Sequence, residues 1–197
     1  MTKQAKFNRD QVIEKAKNLY WEKGYHATSM RNLQEVIDMR PGSIYAAFGS
    51  KDNLFKESLS LYAKQNMALL TDCLSQETTI LLGLKRFITH IIIADKDRAP
   101  NGMCMIVKSI AELTESDSPE LLHEATTILS QIEATFSELF QQSINNGEFS
   151  TDKTANELAR FFQVQIIGLR TYARTVKQQA VIEKLLDDLF TDLQTSR

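Results

Sequence analysis

Residues 28–51 run TSMRNLQEVIDMRPGSIYAAFGSK, and the fold is decided by how this stretch is read. Thr28 suits a helix N-cap, and apolar Met30, Leu33, Val36 and Ile37 follow at helical spacing. Asp38 interrupts the pattern. A second helix starts at Pro41, whose fixed φ suits a first helical position and whose missing N–H costs nothing there. Its apolar members are Ile44, Ala47 and Phe48, which leaves Arg40, Gly42, Ser43, Tyr45 and Ala46 for the opposite side. A helix whose outer face carries Gly, Ser, Tyr and Ala can enter the major groove of DNA unobstructed. The window therefore reads as a helix-turn-helix. Spacing alone also allows plain packing inside a helical protein.

Named residues carry the reading further. Arg9, Ile13, Ala16, Leu19, the Tyr20-Trp21 pair and Lys23-Gly24-Tyr25 form a first-helix pattern. Thr28-Ser29-Met30 opens the second helix, and Pro41-Gly42-Ser43-Ile44-Tyr45 forms the third. Phe48, Ser50, Lys51 and Asn53-Leu54-Phe55 form its exit. Over residues 6–66 this combination closely resembles the TetR family of bacterial transcriptional regulators. The chain departs from the family where Asp38 holds a turn position that is often Gly. Ala46 and Ala47 also stand where bulkier groove-reading residues are frequent.

The resemblance implies an all-α chain of about nine helices. A helix-turn-helix DNA-binding domain would occupy residues 6–66, and an effector-binding and dimerisation domain residues 67–197. Composition agrees. The chain has 197 residues, of which 43% are hydrophobic, with only 7 Gly and 3 Pro. That supports a folded core of long helices and argues against disorder. The formal charge of −2 hides an asymmetry: residues 1–66 hold 11 Lys/Arg against 7 Asp/Glu, and the remainder 12 against 18. A basic end joined to an acidic body suits a nucleic-acid binder. No apolar run approaches the ~20 residues needed to cross a bilayer, and no secretory signal opens the chain. Cys73 and Cys104 form no disulfide framework. A cytoplasmic protein is expected.

Further helices are expected from Asn8 to Gly24, from Ser50 or Lys51 past Leu70, and over 81–95. Residues 97–102 (DRAPNG) are the clearest loop. Helices follow over 103–113, from Pro119 to about 145, from the Thr154 cap to about 176, and over 179–194. The last two carry apolar stripes (Phe161 or Phe162, Gln165 and Leu169; Val181, Leu185 and Leu189) that predict a homodimer built as a four-helix bundle.

For chemistry, Thr28 and Ser29 stand at a helix N-terminus, where hydroxyls and free N–H groups suit a phosphate. Arg40, Pro41, Gly42, Ser43 and Ala46 are the candidates to face the groove. Arg40 would take guanine in bidentate fashion or touch phosphate, and Ala46 would meet a thymine methyl. By resemblance, Tyr45 and Lys51 are further phosphate contacts. No metal-ligand spacing or phosphate-binding glycine loop occurs, and no cofactor or catalytic residue is expected. Glu112, Glu115, Asp187 and Asp188 read as solvated helix faces. Phe87, Ile91, Cys104, Met105, Phe136, Phe140, Phe162 and Tyr172 are candidates to enclose a small-molecule effector.

The stretch from Pro100 to Val107 is similar to the Gly-Cys-led helix of one TetR subgroup, although Met103 intervenes and Lys108 replaces a frequent Asn. Cys104 reads either as a small packing residue or as a thiol activated by a helix N-terminus. The resemblance thus implies a repressor that binds duplex operator DNA as a dimer. Effector binding would change the separation of its two recognition helices. Two rivals stay open: a DNA-binding regulator without an effector, and a helical enzyme using the helix-turn-helix as scaffold.

Overall fold

A computed structural model of the chain describes residues 8–94 and 102–195, and among these residues it is entirely helical. The expected loop over 97–102 lies outside the described residues except for Gly102. Helix α1 spans Arg9–Lys23, α2 Met30–Ile37, α3 Pro41–Phe48, α4 Lys51–Ser75 and α5 Ile80–Thr89. Helix α6 spans Met105–Glu112, α7 Pro119–Asn145, α8 Ala155–Ala173 and α9 Gln179–Thr195. The expected fifth helix divides in two, because after Thr89 the chain widens into a π-helical turn over His90–Ala94.

The ends of the helices follow local chemistry. Asn8 Oδ1 accepts from the N–H groups of Asp10 and Gln11, satisfying donors that a first turn leaves free. Ser29 caps α2 through a reciprocal bond pair with Asn32. Thr154 does the same for α8 with Glu157. The cap of α2 is one residue later than the sequence predicts. The Thr28 side chain turns inward instead, fully buried, with its hydroxyl donating to Gly24 O at 2.6 Å. Asp38 ends α2 in a left-handed conformation (φ 59°, ψ 47°), a place where Asp is better tolerated than most residues.

Two hydrophobic cores are stacked along α4. In the first, Val12, Ala16, Leu19 and Tyr20 of α1 meet Leu33 and Ile37 of α2, Ile44 and Phe48 of α3, and Leu54, Phe55 and Leu59 of α4. Tyr20 and Phe55 pack edge to face, with centroids 4.9 Å apart. This core runs on into α6 and α7 through Met105, Ile106, Leu113, Leu121, Ala125 and Ile128. The second core joins the far end of α4 to α5, α7, α8 and α9, with Phe136, Phe140 and Phe162 at its centre. Phe162 packs edge to face on both of the others, at 5.0 and 5.5 Å.

The second core corrects the predicted dimer stripes. Phe162, Leu169 and Leu189 are consumed within the chain. Among the residues that α8 leaves exposed, Val164, Gly168 and Tyr172 are spaced four residues apart. Asp187 and Asp188 hold Lys85 and Lys184 at 2.6 and 3.1 Å, as exposed carboxylates on a helix face commonly do. Glu112 departs from its predicted role, since it is half-buried and bonded to the backbone of the α1–α2 turn.

Candidate nucleic-acid interface

Helix α3 is anchored by two buried side chains, Ile44 (1% exposed) and Phe48 (4%), with Ala47 partly buried beside them. Arg40, Pro41, Gly42, Ser43, Tyr45 and Ala46 are all exposed, and Tyr45 keeps 49% of its surface in solvent. A Cβ built on Gly42 would find no heavy atom within 4 Å, so the backbone there is open to close approach. Arg40 occupies the N-cap position of α3 without capping it through its side chain. Beneath, Arg9 donates to Ala47 O at 3.0 Å, lies 4.4 Å from the centre of the Phe48 ring and pairs with Glu57. That anchorage holds the α3 C-terminus against α1 and α4.

Ser29 is exposed at the start of α2, whereas buried Thr28 is removed from the outward face. Lys51 is half-buried: Nζ donates to Tyr25 O at 2.7 Å and lies 4.0 Å from the centre of the Tyr25 ring. Burial pulls its pKa down, and Asp52 and Glu112 partly restore it. The Tyr25 hydroxyl in turn donates to Asp52 at 2.5 Å. Lys51 is thus held in place on the turn that joins α1 to α2.

Beside the first core lies a partly open cavity of about 60 Å³, walled by α4, α5, α6, α7, α8 and the π-helical turn. Of the residues expected to enclose an effector, Phe87, Ile91, Cys104 and Phe136 line this cavity. Four predicted residues do not. Met105 points into the first core, Phe140 and Phe162 are buried in the second, and Tyr172 is 48% exposed on the outer side of α8.

The lining residues that the sequence does not reveal include seven apolar ones and four with polar groups, Tyr62, Asn66, Gln163 and Arg170. Arg170 Nη1 donates to the Tyr62 hydroxyl at 3.1 Å. Burial drives the Tyr62 pKa well above the usual tyrosine range; neighbouring Cys104 adds to this and Arg170 opposes it. Gln163 Nε2 donates to Glu133 at 3.3 Å, while its buried Oε1 has no hydrogen-bond partner. Gln163 and Arg170 stand seven residues apart on α8, which puts both on one helical face; that spacing is the signal available in the sequence. Among the described residues, no group of His, Cys, Asp and Glu is placed to hold a metal ion.

Comparison with known proteins decides what the exposed α3 belongs to. Residues 12–58 match the family model described as bacterial regulatory proteins of the tetR family. The whole chain is similar to the HTH-type transcriptional repressor ComR of Escherichia coli (strain K12), at 26% identity over 95% of this chain and 88% of that one. It is also similar to the HTH-type transcriptional repressor BdcR of the same organism, at 35% identity over 38% of each chain. Among solved structures, it superposes on a cysteine mutant of the TetR-family transcriptional regulator CifR complexed with 26-bp double-strand operator DNA. The TM-score is 0.83 at 26% identity, covering 100% of both chains. The chain belongs to the TetR family. It is a DNA-binding transcriptional regulator rather than an enzyme. No described helix of this regulator is long and apolar enough to cross a membrane.

Proposed function

We propose that this regulator is a cytoplasmic repressor that grips operator DNA as a homodimer and lets go when a small molecule enters the cavity behind its head. Ser29, Arg40, Pro41, Gly42, Ser43, Tyr45, Ala46 and Lys51 form the DNA-contacting set of a head spanning residues 6–66; residues 67–197 carry the cavity and the dimer face. One observation carries the proposal: the cavity shares helix α6 with the head. Cys104, Ile106 and Val107 of α6 line the cavity, while Met105 and Ile106 belong to the core of the head. An occupant therefore cannot press on α6 without loading the head. The lining is mainly apolar, which suits a small, largely apolar effector.

Support for the dimer comes from α8. Exposed Val164 and Tyr172 flank Gly168, beside whose Cβ position lies open space. Such a stripe allows the close approach of a second α8, and the half-buried Val181 and Leu185 of α9 extend it. Two heads on a two-fold axis would meet successive major grooves about 34 Å apart. Val164→Glu combined with Tyr172→Glu should sediment as a monomer with its melting temperature kept; an intact dimer would refute this face.

Release is tested with a thiol reagent standing in for the effector. Gel shifts locate a specific fragment around the regulator's own gene. N-ethylmaleimide, which fills the cavity by alkylating Cys104, should then weaken binding at least tenfold in a Cys73→Ser background. Binding that survives confirmed alkylation of Cys104 would overturn the effector reading.

A further inference from the structure

Helix α6 meets the head through a specific set of hydrogen bonds at the corner between α1 and α2. Lys108 Nζ donates to Trp21 O at 2.9 Å and to Glu22 O at 2.7 Å, carbonyls at the C-terminal end of α1. A helix end leaves such carbonyls without intrahelical donors and favours a cation there. One turn further along α6, the Glu112 carboxylate accepts from the N–H groups of Tyr25 (3.0 Å) and His26 (2.6 Å). Trp21 Nε1 completes the set by donating to Met103 O at 2.7 Å, just before the N-cap residue Cys104. A cation thus holds the carbonyl side of the corner and a carboxylate holds its N–H side, both from one face of an eight-residue helix.

Two further features show that this fit is close. Gly24 has φ +89°, and a Cβ there would lie 2.4 Å from Glu112 Oε2, so only glycine lets the carboxylate reach the turn. Burial pulls the Lys108 pKa down, opposed by Glu112 and Glu22, as expected for a cation committed to protein partners.

The same short segment borders the cavity through Cys104, one helical turn before Lys108, and through Ile106 and Val107. We infer that Lys108 and Glu112 are the positioning residues that carry cavity occupancy to the DNA-binding head, an inference that rests on the effector reading above. All five bonds lie between 2.6 and 3.0 Å. A displacement of α6 by about 1 Å away from the corner stretches these bonds toward or past hydrogen-bonding range, so the corner follows α6 or loses its anchor. The corner sets how α1 meets α2, and α2 carries the turn into α3.

The test compares operator affinity with and without the N-ethylmaleimide adduct on Cys104, in a Cys73→Ser background, for the parent, Lys108→Met, Glu112→Gln and Lys108→Arg. The parent should lose at least about tenfold in affinity on alkylation. Lys108→Met and Glu112→Gln should bind the operator unalkylated yet lose less than about threefold on alkylation, and Lys108→Arg should respond like the parent. A purely structural clamp would alter basal affinity or melting temperature and leave the alkylation ratio unchanged. That unchanged ratio in both variants, with the parent still released, overturns the inference and spares the effector reading. A parent that keeps its operator after alkylation overturns both.

Discussion

Helices α3 and α6 are both eight residues long, and they use their polar residues in opposite ways. Helix α3 is fastened by Ile44 and Phe48 and leaves Arg40, Ser43 and Tyr45 exposed. Helix α6 is buried through Met105, Ile106 and Ser109, and its charged residues Lys108 and Glu112 are bonded to the α1–α2 corner. Polar groups left open on a well-anchored helix call for a partner outside the chain. Polar groups closed on backbone call for none, and bind two parts of the chain into one mechanical unit.

The contrast yields a first prediction with the largest effect. Arg40→Ala with Tyr45→Ala should weaken operator binding on the order of 100-fold, since each lost base or phosphate contact costs roughly 1–3 kcal/mol. The melting temperature should stay within a degree or so, because neither side chain is buried. Unchanged affinity by gel shift would show that this face does not meet DNA.

Substitution beside α6 should do the reverse. Gly24→Ala combines a left-handed backbone with a Cβ driven against Glu112, at a cost of roughly 2 kcal/mol. For a chain of this length that lowers the melting temperature by about 4–8 °C in calorimetry. Unaltered stability would mean that the carboxylate is not held where it is described.

A smaller effect concerns Glu148, which treats the start of α5 as Glu112 treats the α1–α2 corner. Its carboxylate accepts from the N–H groups of Ile80 and Leu81 and from the Ser143 hydroxyl, at 2.9, 3.0 and 2.7 Å. Partial burial raises its pKa, but these donors outweigh burial and hold it below the ordinary 4.5. With the folded pKa depressed, the stability it contributes is complete above pH 4.5. It fades as the pH falls from there through the folded value. The melting-temperature gap between the parent and Glu148→Gln should therefore be present at pH 7 and shrink below pH 4.5. A gap that stays constant with pH would remove the proton-linked part of this contact.

Much of this was legible in the chain because it depends on neighbours in sequence. The caps Asn8 and Thr154, the Pro41 start of α3 and the burial of Ile44 and Phe48 follow from helical spacing and end chemistry. Where a choice between adjacent residues turned on what lies above them, the sequence misled. Thr28 and Ser29 are equally good caps, but the first core takes Thr28 and leaves the task to Ser29. Met105 and Tyr172 are as apolar or aromatic as Phe87, yet one faces the head and the other faces solvent.

By itself, then, the sequence determined the helices, their order and the open face of α3, because turns, caps and 3.6-residue periodicity are properties of short segments. Tertiary structure alone decided which apolar residues enclose the cavity and which charges are bonded to the α1–α2 corner. Lys108 and Glu112 meet backbone some 86 residues away, and an i, i+4 pair of opposite charge looks the same in sequence whether it faces water or a distant helix end. The pairing is fixed only when α4 stacks the two cores and brings α6 against the end of α1.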